Sequence, residues 1–113
     1  MSLHLKRIYV PASEDDGLRI LVDRLWPRGV SKHDAALADW MKDAAPSPAL
    51  RDWFGHDPAR WAEFRKRYLA ELKDNSCVER LRKMAARDKV TLVYGARDEQ
   101  HNHALVLAEA VRG

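Results

Sequence analysis

Asp23, Arg24, Trp26, Arg28 and Lys32 fall within one short stretch, around the rigid Trp26-Pro27 pair and the permissive Gly29. Arg97, Asp98, His101, Asn102 and His103 fall within a second, near the C-terminal end. Arginine and lysine neutralise anions, and the planar arginine fork matches two oxygens at once. Histidine titrates near neutral pH, so His101 and His103 can donate or accept a proton. Asp23 can orient Arg24 or a histidine, or serve as a base. The two stretches read as halves of one site for a phosphate-bearing ligand. Asp23, His101 and His103 are its candidate catalytic groups. Arg24, Trp26, Arg28, Lys32, Arg97 and Asn102 are its candidate ligand-binding groups.

Each of these residues also has a structural reading. Asp23 can pair with Arg24, and bind a backbone amide or Arg97, simply to lock the fold, since perturbed ion pairs serve structure as well as function. Trp40 and Trp61 recur at apolar helical positions and read as core, whereas Trp26 stands in a charged loop. The basic runs Arg65-Lys66-Arg67 and Arg80, Arg82, Lys83 read as solvated helix faces. His56-Asp57 reads as a helix start with Asp57 as its cap. His101 and His103 are two positions apart, so a helix points them away from each other, and no metal site is assigned. No glycine-rich loop follows a strand, so no cofactor is implied.

For the two stretches to meet, the elements before them must lie side by side. Leu5–Val10 reads as a strand running into Pro11. The turn 11–17 is shorter than the dozen or so residues of a parallel crossover, so Leu18–Asp23 is expected to return antiparallel as a hairpin. Its centre, Ile20-Leu21-Val22, is apolar without alternation, as in a strand covered on both faces. Ser31 is placed to cap a helix running to about Ala44, with Leu37, Trp40, Met41 and Ala44 on one face. Ser47-Pro48 starts a short helix through Phe54, which Gly55 ends. Asp57-Pro58 starts another, with Trp61, Phe64, Tyr68 and Leu72 at helical spacing. Val78, Leu81 and Ala85 mark the next. Val90–Tyr94 is a second buried-type strand, and His101–Val111 closes the chain as a helix. Strands 18–23 and 90–94 can then run parallel, with the helices as crossover. The expected architecture is a small single α/β domain spanning 1–113. It has a three-stranded mixed sheet with an N-terminal hairpin, two parallel strands and about five helices. Ligands of such sheets bind beyond the carboxyl ends of the parallel strands, where both stretches would lie.

The bulk properties are consistent with this. The 113 residues suit one core, and 46% hydrophobic with 33% charged residues is a globular balance. Twenty basic against seventeen acidic residues leave a net charge of +3, a mild bias toward anionic partners. No apolar run approaches the about 20 residues of a membrane helix, and the N-terminal residues show no signal core. Cys77 is the single cysteine, which excludes an internal disulfide and a cysteine zinc cluster and makes it a small core residue. A cytoplasmic location is the expectation.

Taken together, Asp16-Gly17, Leu21-Val-Asp-Arg-Leu-Trp-Pro-Arg-Gly29, Ala45-Pro-Ser47, Leu50 with Trp53-Phe54, His56-Asp-Pro58, and Asp98 with His101-Asn-His-Ala104 resemble domain-of-unknown-function family 488, in its short YeaO-like group. The resemblance runs from about Lys6 to Glu109. It implies an α/β fold and brings no reaction with it. Longer relatives resemble this chain at the same places but carry a cysteine-containing turn leading to a Cys-His-Arg run. Here Tyr94-Gly-Ala96 and His101-Asn-His103 stand instead, without a nucleophilic sulfur.

Three functions fit the sequence. The first is binding of a nucleotide, or of a nucleic-acid end, at the carboxyl edge, with hydrolysis open as a consequence. The second is a non-catalytic module for nucleic acid or protein. The third is a metal-assisted hydrolase built on His101, His103 and Asp23 or Asp98.

Overall fold

The computed structural model describes residues 1–113. Its elements in chain order are β1 (Ser2–Arg7), β2 (Leu18–Leu21), α1 (Lys32–Ala35), β3 (Asp39–Trp40), α2 (Pro48–Phe54), α3 (Trp61–Leu72), α4 (Ser76–Arg87), β4 (Lys89–Tyr94) and α5 (His103–Arg112). The number of helices is as expected, but the sheet is not. It has four strands in the order β1-β4-β2-β3, and every neighbouring pair is parallel.

The expected hairpin is therefore replaced by a crossover, because β1 and β2 both pair with β4, which lies between them. The connecting residues 8–17 achieve this by folding across one face of the sheet. Ile8 leaves the strand and packs with Leu21, Ala35 and Val93 on that face. Glu14–Asp16 forms a 3-10 turn in which Ser13 and Asp16 cap one another. The Asp16 carboxylate then takes Lys6 Nζ at 3.0 Å and Arg19 Nη1 at 2.8 Å, one from each strand being joined. Thr91 Oγ1 of β4 donates to the Asp16 carbonyl at 2.7 Å. Burial works to raise the Asp16 carboxyl, but the Ser13 amide, Lys6 and Arg19 more than offset it and hold it below the ordinary value. At Gly17, with φ 64°, an added Cβ would lie 2.3 Å from the Lys89 carbonyl oxygen. Only glycine lets the chain re-enter the sheet so close to β4.

The helix expected from Ser31 to Ala44 stops after four residues, at Ala36 with φ 48°. The segment after it adds the edge strand β3, with Met41 N–H donating to the Leu21 carbonyl at 2.8 Å. Leu37 and Trp40 pack in the small cluster on one face of the sheet, whereas Met41 and Ala44 enter the main core on the other. A helix would have presented all four to one side; a strand divides them.

The main core holds 21 buried residues beneath α2 to α5 and includes Cys77. Phe54 stacks on Phe64 at 4.2 Å between ring centroids, and Tyr68 is fully buried beside them. Trp40 and Trp61 are half-buried and pack against the two clusters rather than filling them. No helix is long and apolar enough to cross a membrane.

Candidate functional site

β2 and β4 are parallel neighbours, with Leu21 opposite Val93, so the loops that follow them leave the same edge of the sheet. The Val22 amide still donates to the Val93 carbonyl at 3.1 Å, and the chains part only after it. Asp23 is the first residue clear of β2, Gly95 the first clear of β4, and the Gly95 amide donates to Asp23 Oδ2 at 2.9 Å. A Cβ on Gly95 would stand 3.0 Å from that oxygen, so the glycine makes room for the carboxylate.

Asn102 caps α5, accepting from the Leu105 amide at 3.1 Å and donating to the Asp98 carbonyl at 2.9 Å. This sets His103 at the first helical position. His103 Nε2 lies 3.0 Å from the Val22 carbonyl oxygen and 3.2 Å from Asp23 Oδ1. Both neighbours are acceptors, so Nε2 carries a proton. It donates to the carbonyl. Oδ1 makes no hydrogen bond and is closed off from water, which leaves it as the electrostatic partner of the imidazole. Asp23 is therefore placed to orient His103 and is shielded from direct contact with a ligand through that oxygen.

A cavity of about 290 Å³ opens at this edge. Asp23, Gly95, Asn102 and His103 line its inner end, and Leu25, Trp26 and Pro27 contribute from the loop after β2. Trp26 also packs edge-on to Trp40, with ring centroids 5.3 Å apart and planes at 72°. Trp40 Nε1 donates to the Asp23 carbonyl at 2.7 Å, which ties β3 to the same loop. A further wall is the Ala45-Pro46 segment. Arg24 holds it through Nη2, 3.3 Å from both carbonyl oxygens, and Tyr68 OH donates to the preceding Ala44 carbonyl at 2.5 Å. Burial pushes the Tyr68 phenol well above its ordinary value, so it stays a neutral donor.

The cation set differs from the sequence expectation. Arg24 lines the cavity, but part of its guanidinium is committed to Ala45 and Pro46. Arg28, Lys32 and Arg97 are exposed and lie outside the lining. Arg28 contributes only its carbonyl, which accepts from Tyr9 OH at 3.0 Å. His101 is also outside. Its Nδ1 lies 2.9 Å from Asp98 Oδ2, and its ring stands edge-on to Trp61 at 5.5 Å. The Gln100 amide first, then His101, draw the Asp98 carboxyl below its ordinary value, so this pair organises the β4–α5 loop. The Asp23–His103 and Asp98–His101 pairs stay apart, and nowhere do three His, Cys, Asp or Glu side chains converge as metal ligands.

In place of the missing cations, α2 supplies Arg51 and the turn after it supplies His56. Tyr9, Phe54 and Phe64 add aromatic surface. His56-Asp57-Pro58 was visible in the sequence as a helix start, and nothing in it directed the imidazole toward this edge. Arg51 carried no signal at all. No serine, threonine or cysteine lines the cavity beside the aspartate–histidine pair.

A family model described as the inactive DUF488-N3 subclade matches residues 2–113. The chain belongs to the DUF488 family. Within it, the chain is 47% identical over 113 residues to the uncharacterised protein YeaO of Escherichia coli, covering 99% of this chain and 98% of that one. It is 43% identical over 111 residues to an uncharacterised protein of Mycobacterium tuberculosis, covering 98% and 94%. No solved structure matches.

Proposed function

We propose that the cleft at the carboxyl edge of β2 and β4 binds a phosphate-bearing small molecule of nucleotide type and holds it without turning it over. The observation that carries this reading is the composition of the cleft. Arg24, Arg51 and His56 supply positive or hydrogen-donating groups for an anion, and Tyr9 and Trp26 supply aromatic surface for a ring. A volume of about 290 Å³ suits one small ligand rather than a length of polymer. The lack of a serine, threonine or cysteine in the lining and the subclade description favour binding over catalysis.

The competing nucleic-acid surface has less in its favour, because the basic helix faces are largely neutralised. Arg65 pairs with Glu109, Arg67 with Glu63 and Arg82 with Glu79. One observation favours a hydrolytic variant of the first reading. With Nε2 protonated against Val22 and Asp23, the second ring nitrogen of His103 is the one free to take a proton from water.

The test is a titration of the ¹⁵N-labelled protein with adenosine 5′-monophosphate, with adenosine and inorganic phosphate as separate arms, followed by amide chemical shifts. Saturable shifts at Gly95, Asn102 and His103 are expected with the nucleotide. No shift with any of the three at millimolar concentration defeats the reading. Phosphorus NMR of the same samples distinguishes binding from hydrolysis, since only the latter releases phosphate.

A further inference from the structure

We propose that His56 is a ligand-contacting residue of the cleft, donating from its imidazole to the anionic end of a bound phosphomonoester. This rests on the reading of the cleft given above and identifies a side chain that the fold itself does not require. Gly55 and His56 are consecutive residues in the left-handed region, with φ 53° and 56°. The first ends α2, its amide donating to the Arg51 carbonyl at 3.0 Å. The second turns the chain so that the Asp57 amide reaches the Phe54 carbonyl at 3.0 Å and Asp57 caps the next turn. The backbone needs the left-handed conformation here, and glycine would supply it without strain. A histidine in its place carries a steric cost that must be offset elsewhere.

Nothing within the fold offsets it. The imidazole makes no hydrogen bond within the protein, and its one aromatic neighbour, Phe54, is tilted at 50° with ring centroids 6.2 Å apart. The side chain is exposed and lines the cavity. Arg51, on the same α2–turn unit, also lines it, and its guanidinium contacts only the neighbouring Asp52, at 3.2 Å on the open surface. A cation and a hydrogen-bond donor thus reach the cleft from one rigid unit, and the donor is held there at the expense of backbone strain. Strained residues of this kind are characteristic of ligand clamps.

The experiment compares the unmodified protein with His56→Gly and Arg51→Ala. It uses adenosine 5′-monophosphate as the probe and measures affinity by calorimetry and stability by thermal melting. His56→Gly is expected to melt at the same temperature or higher and to lose at least about tenfold in affinity, the size of one hydrogen bond to a charged group. His56→Asn, which also tolerates the left-handed region and retains a donor, is expected to recover part of the loss. A His56→Gly protein that melts lower and binds as tightly as the unmodified one, while Arg51→Ala binds weakly, overturns the assignment of His56 and leaves the cleft standing. Absence of binding by the unmodified protein overturns both.

Discussion

Asp23 and His103 stand 80 positions apart in the numbering yet meet at 3.2 Å, because Asp23 leaves the end of β2 while His103 opens α5, into which the loop after the parallel neighbour β4 leads. The carboxylate is fixed on its other side by the Gly95 amide at 2.9 Å, and the imidazole by the Val22 carbonyl at 3.0 Å. The pair closes a ring of contacts that includes both strand ends. It links the cleft to the sheet and makes the site testable through stability as well as binding.

Asp23→Asn places an amide between two N–H donors, Gly95 and His103 Nε2. If its oxygen accepts from Gly95, its NH₂ faces the imidazole proton. Weakening the Gly95 hydrogen bond from a charged to a neutral acceptor, and setting two N–H groups against each other, is expected to cost about 1–3 kcal/mol in urea unfolding at neutral pH. Amide hydrogen exchange at Gly95 should speed up by more than at residues of β1. An unchanged unfolding midpoint would show that the ring of contacts does not bear on stability.

Gly17→Ala forces a methyl group to within 2.3 Å of the Lys89 carbonyl, at a φ of 64°. Backbone strain and overpacking together are expected to cost roughly 2–4 kcal/mol. Gly29→Ala shares the positive φ but meets no atom within 4 Å, so it should cost only about 1 kcal/mol. Equal losses in the two variants would mean that contact with β4 is not what excludes a side chain at residue 17.

The Asp16 carboxyl is held below its ordinary value in the folded protein, so the unfolded state binds its proton more tightly. The stabilisation is present above the unfolded carboxylate range and is lost as pH falls through the lower, folded value. Asp16→Asn leaves Arg19 buried without its anion and is expected to cost about 3–5 kcal/mol at pH 7. Urea unfolding of both proteins from neutral to strongly acidic pH checks this. The gap between them should narrow as the solution becomes acidic, and a constant gap would exclude the charge as its cause.

Arg28, Lys32 and Arg97 lie outside the cavity, so converting all three to alanine should leave nucleotide affinity within about twofold. Arg51→Ala should lower it about tenfold. If the triple variant loses the ligand and Arg51→Ala keeps it, the anion sits on the outer loop surface and not in the cleft.

Val22-Asp23 and Tyr94-Gly95 were legible as strand ends because their strands are uninterrupted apolar runs, and a shared edge follows once the strands are parallel. The charges beyond them were legible only as types. Whether Arg28 or Arg24 turns inward depends on contacts with Tyr9, Ala45 and Pro46, which come from distant segments. The crossover was hidden for a related reason. Its length argued for a hairpin, and what overrides length is the polar staple of Asp16 with Lys6 and Arg19. β3 was hidden because Leu37, Trp40, Met41 and Ala44 satisfy helical spacing while serving two different faces.

The strand order has a consequence for how the protein comes into being. β1 and β2 are made before β4, but they are never neighbours in the sheet, because β4 lies between them. Leu3 waits for Val90, and Leu18 waits for the same residue. A nascent chain that has not yet released residues 89–94 has β1 and β2 and lacks the strand they share. Native pairing of β1 and β2 is deferred until residues 89–94 have been made, and long-range closure of this kind is slow. Until then the backbone N–H and C=O groups of β1 and β2 that β4 will pair are unsatisfied.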